Sequence, residues 1–273
     1  MNWRDVRPRE GFDYRIGVIS QGVDNSLIMA VYATALRGLG LRADLVELDL
    51  DANDFDEAVQ AIKDAGFRAA AVGNPHKVRA ARIGEKFFMA RESVGVANAL
   101  LFEKEIYARN TEVTAFVNSI AHIEPGKALV MGTGQVARSV CMGLFHAGWK
   151  VRSWNRNINK TRVLQTMFKR YGDIEPATMA DPSGCRLVVN ATPVGVKPGE
   201  QPPLQWNHVQ PRTVVCDLVI RRVPTELLRA ASLRGLKTIG GKQLMVEQAA
   251  LAVEWWTGKE PPRDAMMESL QGR

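Results

Sequence analysis

Apolar positions along the chain fall into short runs that alternate with longer amphipathic stretches. Tyr14 to Ile19 is a run of strand length, and after the polar segment Ser20 to Asn25 a helical pattern begins near Ser26. Leu41 to Leu48 then reads as a strand, Phe55 to Ala65 as an amphipathic helix, and Arg68 to Val72 as a short buried strand. This alternation predicts βαβ units and a mainly parallel sheet in the first hundred residues. In Gly73-Asn74-Pro75-His76-Lys77 the proline ends the strand, because it has no N–H to give a ladder. A helix through Phe88 follows, then two strands, Val96 to Phe102 and Ile106 to Arg109, joined by the polar turn Glu103-Lys104-Glu105. The helix after Thr111 leads to a boundary in the His122 to Gly126 segment, where Pro125-Gly126 punctuates a switch to a second α/β series.

That second series opens on the apolar strand Lys127 to Met131, which runs into Gly132-Thr133-Gly134-Gln135-Val136-Ala137 and a helix to about Ala147. A G-x-G-x-x-A sequence between strand and helix has a specific physical use. Gly132 allows a tight turn, Gly134 lets the backbone approach a pyrophosphate, and Ala137 lets helix and strand pack closely, with the pyrophosphate on the helix N-terminus. The next strand, Lys150 to Trp154, ends in Asn155-Arg156-Asn157. An acidic residue there would select NAD through its ribose hydroxyls. Arg156 instead offers a planar fork matched to a phosphate, with Lys160 and Arg162 following, which points to the 2′-phosphate of NADP; the bland alternative is a solvated basic loop. The strands Leu187 to Asn190 and Thr213 to Leu218 should place Asn190, Ala191, Thr192 and Leu218 at the carboxyl ends of a parallel sheet, where ligands sit.

Composition changes this picture little. A chain 46% hydrophobic and 24% charged buries a real core. No apolar run approaches a membrane span, and Met1 to Glu10 is charged rather than built as a signal peptide, so a soluble cytoplasmic protein is expected. Cys141, Cys185 and Cys216 are far apart among apolar neighbours and read as small buried hydrophobes. With a net charge of +7, the 36 basic residues are scattered rather than gathered into one stripe, which suits small anionic ligands better than nucleic acid. His76, His122, His146 and His208 show no metal-ligand spacing; His76, next to Lys77, is the candidate substrate contact among them.

From about Gly17 to Trp256 an ordered series of motifs resembles the shikimate and quinate dehydrogenase family. The family's phosphate loop is similar to Gly132–Ala137, its Asn-Arg-Thr signature to Asn155-Arg156-Asn157, its Val-Asn-Ala-Thr strand end to Val189-Asn190-Ala191-Thr192, and its last substrate-contacting helix to Val246-Glu247-Gln248-Ala249. In the first half, the family's catalytic lysine after a proline matches Pro75-His76-Lys77. Its substrate asparagine looks like Asn98, and its Asn-Thr-Asp looks like Asn110-Thr111-Glu112. The resemblance implies an α/β fold with a substrate-binding domain over residues 1–121, completed by C-terminal helices 242–273, and a Rossmann-type NADP-binding domain over 122–241, with the site in the cleft between them. It implies an NADP-dependent alcohol dehydrogenase of aromatic amino acid biosynthesis, a monomer or homodimer acting on a small hydroxylated cyclic acid.

Oxidising a secondary alcohol requires a general base within reach of the hydroxyl proton. Lys77 is the candidate base and Glu112 the carboxylate that tunes it. Three departures from the family stand out. Glu112 replaces an aspartate and lengthens the arm by a methylene. The paired serines of a carboxylate clamp have only Ser20 and Ser26 as counterparts, and Ile220 stands where a phenol is usual. Together they predict weak or no activity on shikimate itself and a related ring acid or cyclitol as ligand, with Arg221 and Arg222 as a replacement clamp. The alternative is a catalytically impaired NADP-binding sensor that holds a small acid without turning it over.

Overall fold

The computed structural model describes residues 1–22, 24–84, 86–87 and 94–271. Residues 1–111 with 245–273 form one compact unit, and residues 112–244 form a second.

In the first unit the chain order is β1 (Tyr14–Ser20), α1 (Ser26–Gly38), β2 (Ala43–Asp49), α2 (Phe55–Asp64), β3 (Ala69–Val72), α3 (Lys77–Ile83), β4 (Lys86–Phe87), β5 (Ala99–Phe102) and β6 (Ile106–Arg109). The strands form one sheet in the order β2-β1-β3-β5-β6-β4. Alternation along β1 and β3 divides their side chains between two cores. Ile19, Ala70 and Val72 face Phe55, Val59 and Ile62 of α2. Ile16, Val18, Ala69 and Ala71 face Val31 and Leu36 of α1 together with Val246, Val253 and Met266 from the end of the chain.

The sheet is mainly parallel, as the alternation predicts, with one exception: β5 runs antiparallel to both β3 and β6. The turn at Glu103-Lys104-Glu105 is too short for a crossover, so β5 and β6 have to form a hairpin. β5 begins at Ala99, not at Val96. α3 stops at Ile83, whereas the periodicity predicts a helix to Phe88, a residue outside those described. Gly84 ends it with extended backbone, at a point where a Cβ would lie 2.4 Å from that of Ala108, so the chain passes β6 too closely for a side chain.

α4 (Thr111–Ile120) opens the second unit, followed by β7 (Lys127–Met131), α5 (Gln135–His146), β8 (Lys150–Trp154), α6 (Ile158–Phe168), β9 (Ile174–Ala177), β10 (Cys185–Asn190), β11 (Val214–Asp217), α7 (Glu226–Leu233) and β12 (Thr238–Gly240). All six strands are parallel, in the order β12-β11-β10-β7-β8-β9. Numbered within the unit this is 6-5-4-1-2-3, the doubly wound dinucleotide-binding arrangement, whose order reverses between β7 and β10. α8 (Gly241–Thr257) then carries the chain back to the first unit, and α9 (Arg263–Glu268) follows it.

Cys141, Cys185 and Cys216 are buried free thiols. Burial pushes Cys141 up to about 12 and Cys185 up to about 11, so both pack as small apolar groups. Trp256 is buried in the core and stacks on Tyr32 with ring centroids 5.6 Å apart. No helix among the described residues is long and apolar enough to cross a membrane.

Candidate active site

β1, β3 and β6 run in one direction, so their carboxyl ends share an edge of the first sheet with the amino end of antiparallel β5. That edge collects Ser20 at the end of β1, Gly73 to Lys77 after β3, Asn98 before β5 and Thr111 after β6. Backbone bonds fix these loops to one another: Gly73 donates to the Ile19 carbonyl at 2.7 Å, Ala97 to Lys77 at 2.9 Å, and Asn98 to Arg109 at 3.1 Å. Lys77 begins α3 and is only 8% exposed, a burial uncommon for a lysine.

His76 has a different part from the one its position suggests. The ring is 1% exposed, stacks on Phe55 at a centroid distance of 5.2 Å, and donates from Nε2 to the Leu50 carbonyl at 3.1 Å. Burial holds the imidazole below its ordinary value. It is a core residue that fixes the start of α3, not a substrate contact.

Asn98 is used more fully than a substrate ligand alone would be. Its Nδ2 donates to Thr111 Oγ1 at 2.8 Å, and its Oδ1 accepts from the Thr111 amide at 2.7 Å. Thr111 Oγ1 donates in turn to the Gln248 carbonyl on α8 at 3.1 Å. This clamp sets the first residue of α4, and Glu112 is the next. Glu112 itself is buried, and its Oε2 accepts from Ser139 Oγ at 3.1 Å.

The two serines lie in unlike surroundings. Ser20 is buried and its hydroxyl accepts from Asn25 Nδ2 at 2.6 Å, while Asn25 also donates to Glu47 Oε1 at 2.8 Å. Ser26 is exposed and lines a groove of about 390 Å³ with Met29, Thr34, Arg37, Leu45 and Ser269. Asn25 is a residue that patterning missed: a lone polar position before a helix looks like a cap, yet its side chain links Ser20 to Glu47.

The second unit builds its site at the reversal point between β7 and β10. Gly132 has φ +116°, and a Cβ there would lie 2.6 Å from the Ala191 carbonyl oxygen, so both conformation and space demand glycine. Gly134 caps α5 with no side-chain hydrogen bond, and a Cβ built on it would meet nothing within 4 Å. Beyond that opening the amides of Gln135, Val136 and Ala137 begin the helix without intrahelical partners. Ala137 is fully buried. Open space at Gly134, unsatisfied amides and the positive end of a helix dipole fit a pyrophosphate.

After β8, Asn155 Nδ2 donates to Thr133 Oγ1 at 3.1 Å, and its Oδ1 accepts from the Asn157 amide at 3.0 Å. Asn157 caps α6 through the Asn159 amide. Arg156 is exposed at the tip of this turn, with Lys160 one turn into α6. On the β10 side, fully buried Asn190 accepts from the Thr192 amide and hydroxyl, and its Nδ2 donates to the Val194 carbonyl at 3.0 Å and to Asp217 Oδ1 at 2.8 Å. Asp217 also accepts from Thr225 Oγ1 at 2.5 Å and from the Val219 amide. Burial pushes its carboxyl above the usual range, with these three donors offsetting part of the rise. The Leu218 amide donates to the Asn190 carbonyl. Asp217 and Thr225 thus lock the two loops beside the reversal point, and Thr225 also caps α7 by accepting from the Leu228 amide. Arg221 braces the same loop by donating to the Gly195 carbonyl at 3.3 Å, while the Arg222 carbonyl accepts from Lys242. Ile220 is exposed.

Comparison with known proteins converges on one family. Residues 243–271 match the model of the shikimate 5'-dehydrogenase C-terminal domain. The chain is 31% identical to the shikimate dehydrogenase (NADP(+)) of Methanocella arvoryzae over 264 residues, covering 93% of this chain and 97% of that one. Among solved structures, shikimate 5-dehydrogenase from Thermus thermophilus, in complex with NADP(H) and shikimate, superposes with a TM-score of 0.85 at 29% identity, over 94% of this chain and 98% of that one. The ligand-free 5-ketofructose reductase of a Gluconobacter strain shares the fold, with a TM-score of 0.86 at 22% identity over 94% and 97% of the two chains. On the strength of these matches and of the motifs now placed in the fold, the chain belongs to the shikimate dehydrogenase family.

Proposed function

We propose that this protein is an NADP-dependent oxidoreductase that interconverts a secondary alcohol and a ketone on a shikimate-like hydroxylated cyclic acid, acting in the cytoplasm as a monomer or homodimer. The observation that carries this reading is the opening at Gly134, where free space and the leading amides of α5 coincide at the reversal point of a parallel sheet. Bound there, the nicotinamide cofactor accepts or donates the hydride.

The chain's own residues do the rest. The loop Gly132, Thr133, Gly134, Gln135, Val136 and Ala137 holds the pyrophosphate. Arg156, with Asn155, Asn157 and Lys160, holds the 2′-phosphate, where a guanidinium fork gives two charge-assisted hydrogen bonds. Asn190, Ala191, Thr192 and Leu218 line the nicotinamide end. Lys77 takes the hydroxyl proton during oxidation and returns it during reduction. Glu112 is the second catalytic group. Ser20, Ser26, Asn98 and Gln248 are the substrate contacts; Ser20 and Asn98 serve the site further by holding Asn25 and Thr111. The hydrogen bond from Ser139 supports a carboxylate in use and so favours the enzyme over a ligand-holding sensor.

The test is turnover. Purified protein with NADP and a panel of shikimate, quinate and related ring acids and cyclitols should produce reduced nicotinamide with at least one member, with shikimate itself among the poorer ones. Silence across the panel from protein that binds the cofactor would overturn the dehydrogenase and leave the sensor.

A further inference from the structure

We infer that Ser139 is a positioning residue for the reaction: it holds the Glu112 carboxylate in its working orientation and ties it to the helix that receives the cofactor. The inference rests on the catalytic role proposed above for Glu112. Ser139 Oγ donates to Glu112 Oε2 at 3.1 Å, and the two residues are 1% and 6% exposed, so water competes little for either partner.

The contact is built into the packing of α4 and α5. One turn beyond Ser139 on α5 stands Gly143, where a Cβ would lie 3.2 Å from side-chain atoms of Phe116 and Val117 and 3.3 Å from the Val113 carbonyl. Phe116 lies one turn beyond Glu112 on α4. The missing side chain at Gly143 therefore lets the helices approach until a serine hydroxyl spans the remaining gap to a glutamate. A shorter carboxylate on the same backbone would fall about 1.5 Å short, the length of one carbon–carbon bond.

At its other end α5 offers its leading amides at Gly134. One rigid element thus carries both the pyrophosphate cradle and the donor that aims the carboxylate, which couples cofactor seating to catalytic geometry. Small errors in such aim reduce rate far more than binding.

The experiment is a double-mutant cycle of Ser139→Ala and Glu112→Asp in the full chain, read by steady-state kinetics on the best panel substrate and by urea unfolding. Ser139→Ala should lower kcat about 10-fold with KM for NADP and substrate held within about 2-fold, because only orientation is lost. In the Glu112→Asp background the same substitution should change kcat by less than about 2-fold, since the shorter side chain does not reach the hydroxyl. Unchanged kcat in Ser139→Ala, or equal losses in both backgrounds, would overturn the inference. A wild type silent on the whole panel would overturn the dehydrogenase instead. The unfolding cycle then decides the contact, with coupled midpoint shifts supporting it and additive ones overturning it.

Discussion

His76 and Lys77 are neighbours in sequence, but the proposed chemistry falls to Lys77 alone. The His76 ring is folded away neutral between Phe55 and the Leu50 carbonyl, with burial depressing its proton affinity below the ordinary 6.5. The unfolded chain therefore binds this proton more readily than the folded one. His76 contributes full stability above the unfolded value, and that contribution falls as pH drops through it toward the lower folded value. His76→Phe keeps the stacked ring and removes the titration. Urea midpoints of this variant should change less between pH 7.5 and 5.5 than those of the wild type, although at pH 7.5 it loses about 1 kcal/mol for the unpaired Leu50 carbonyl. Equal pH slopes in the two proteins would show that the acid sensitivity lies elsewhere.

Single residues also mark where the sequence is readable and where it is not. Gly132 and Ala137 are legible because each obeys a steric demand of the fold, and Gly134 because a pyrophosphate would need the space a side chain would take. Ser139, Asn25 and Thr225 are not, since a hydroxyl or amide on an otherwise ordinary helix acquires its meaning only from a partner far away in the chain. His76 misleads because adjacency in sequence says nothing about which way consecutive side chains point.

The elements are legible for a related reason. Strands such as Lys127–Met131 and helices such as Phe55–Asp64 announce themselves through hydrophobic period, which local burial imposes. Edge strands give no such signal: β9 (Ile174–Ala177) and β12 (Thr238–Gly240) are short and half-exposed, so their pattern is weak. Strand direction in the first sheet escapes the same pattern, because the three-residue turn, not the preceding alternation, decides that β5 is antiparallel. The turn from β7 to α5 separates folding from function in a way two substitutions can measure. Gly132→Ala forces a side chain onto φ +116° and into the Ala191 carbonyl, and should reduce stability by at least about 2 kcal/mol in urea. Gly134→Ala meets nothing and should unfold at the wild-type midpoint, yet its methyl occupies the space of the pyrophosphate and should weaken NADPH roughly 10-fold or more. A Gly134→Ala protein that binds NADPH normally would remove the cradle from the account.

The chain as a whole comprises one sheet whose strand ends gather Ser20, Lys77 and Asn98 and one parallel sheet whose reversal point fits a dinucleotide. The net positive charge lies with the second unit, where residues 112–244 hold 18 Lys and Arg against 8 Asp and Glu, a field suited to a phosphorylated ligand. In the proposed function, cofactor choice depends on the absence of an acid after β8 and on Arg156 in its place. Calorimetric titration of the wild type and Arg156→Ala with NADPH and NADH puts this to the test. Wild-type protein should bind one NADPH per chain with Kd of roughly micromolar order and NADH at least about 10-fold more weakly, and Arg156→Ala should lose that preference by weakening NADPH alone. Failure of both nucleotides to bind at millimolar concentration, or an equal effect of the substitution on the two, would contradict it.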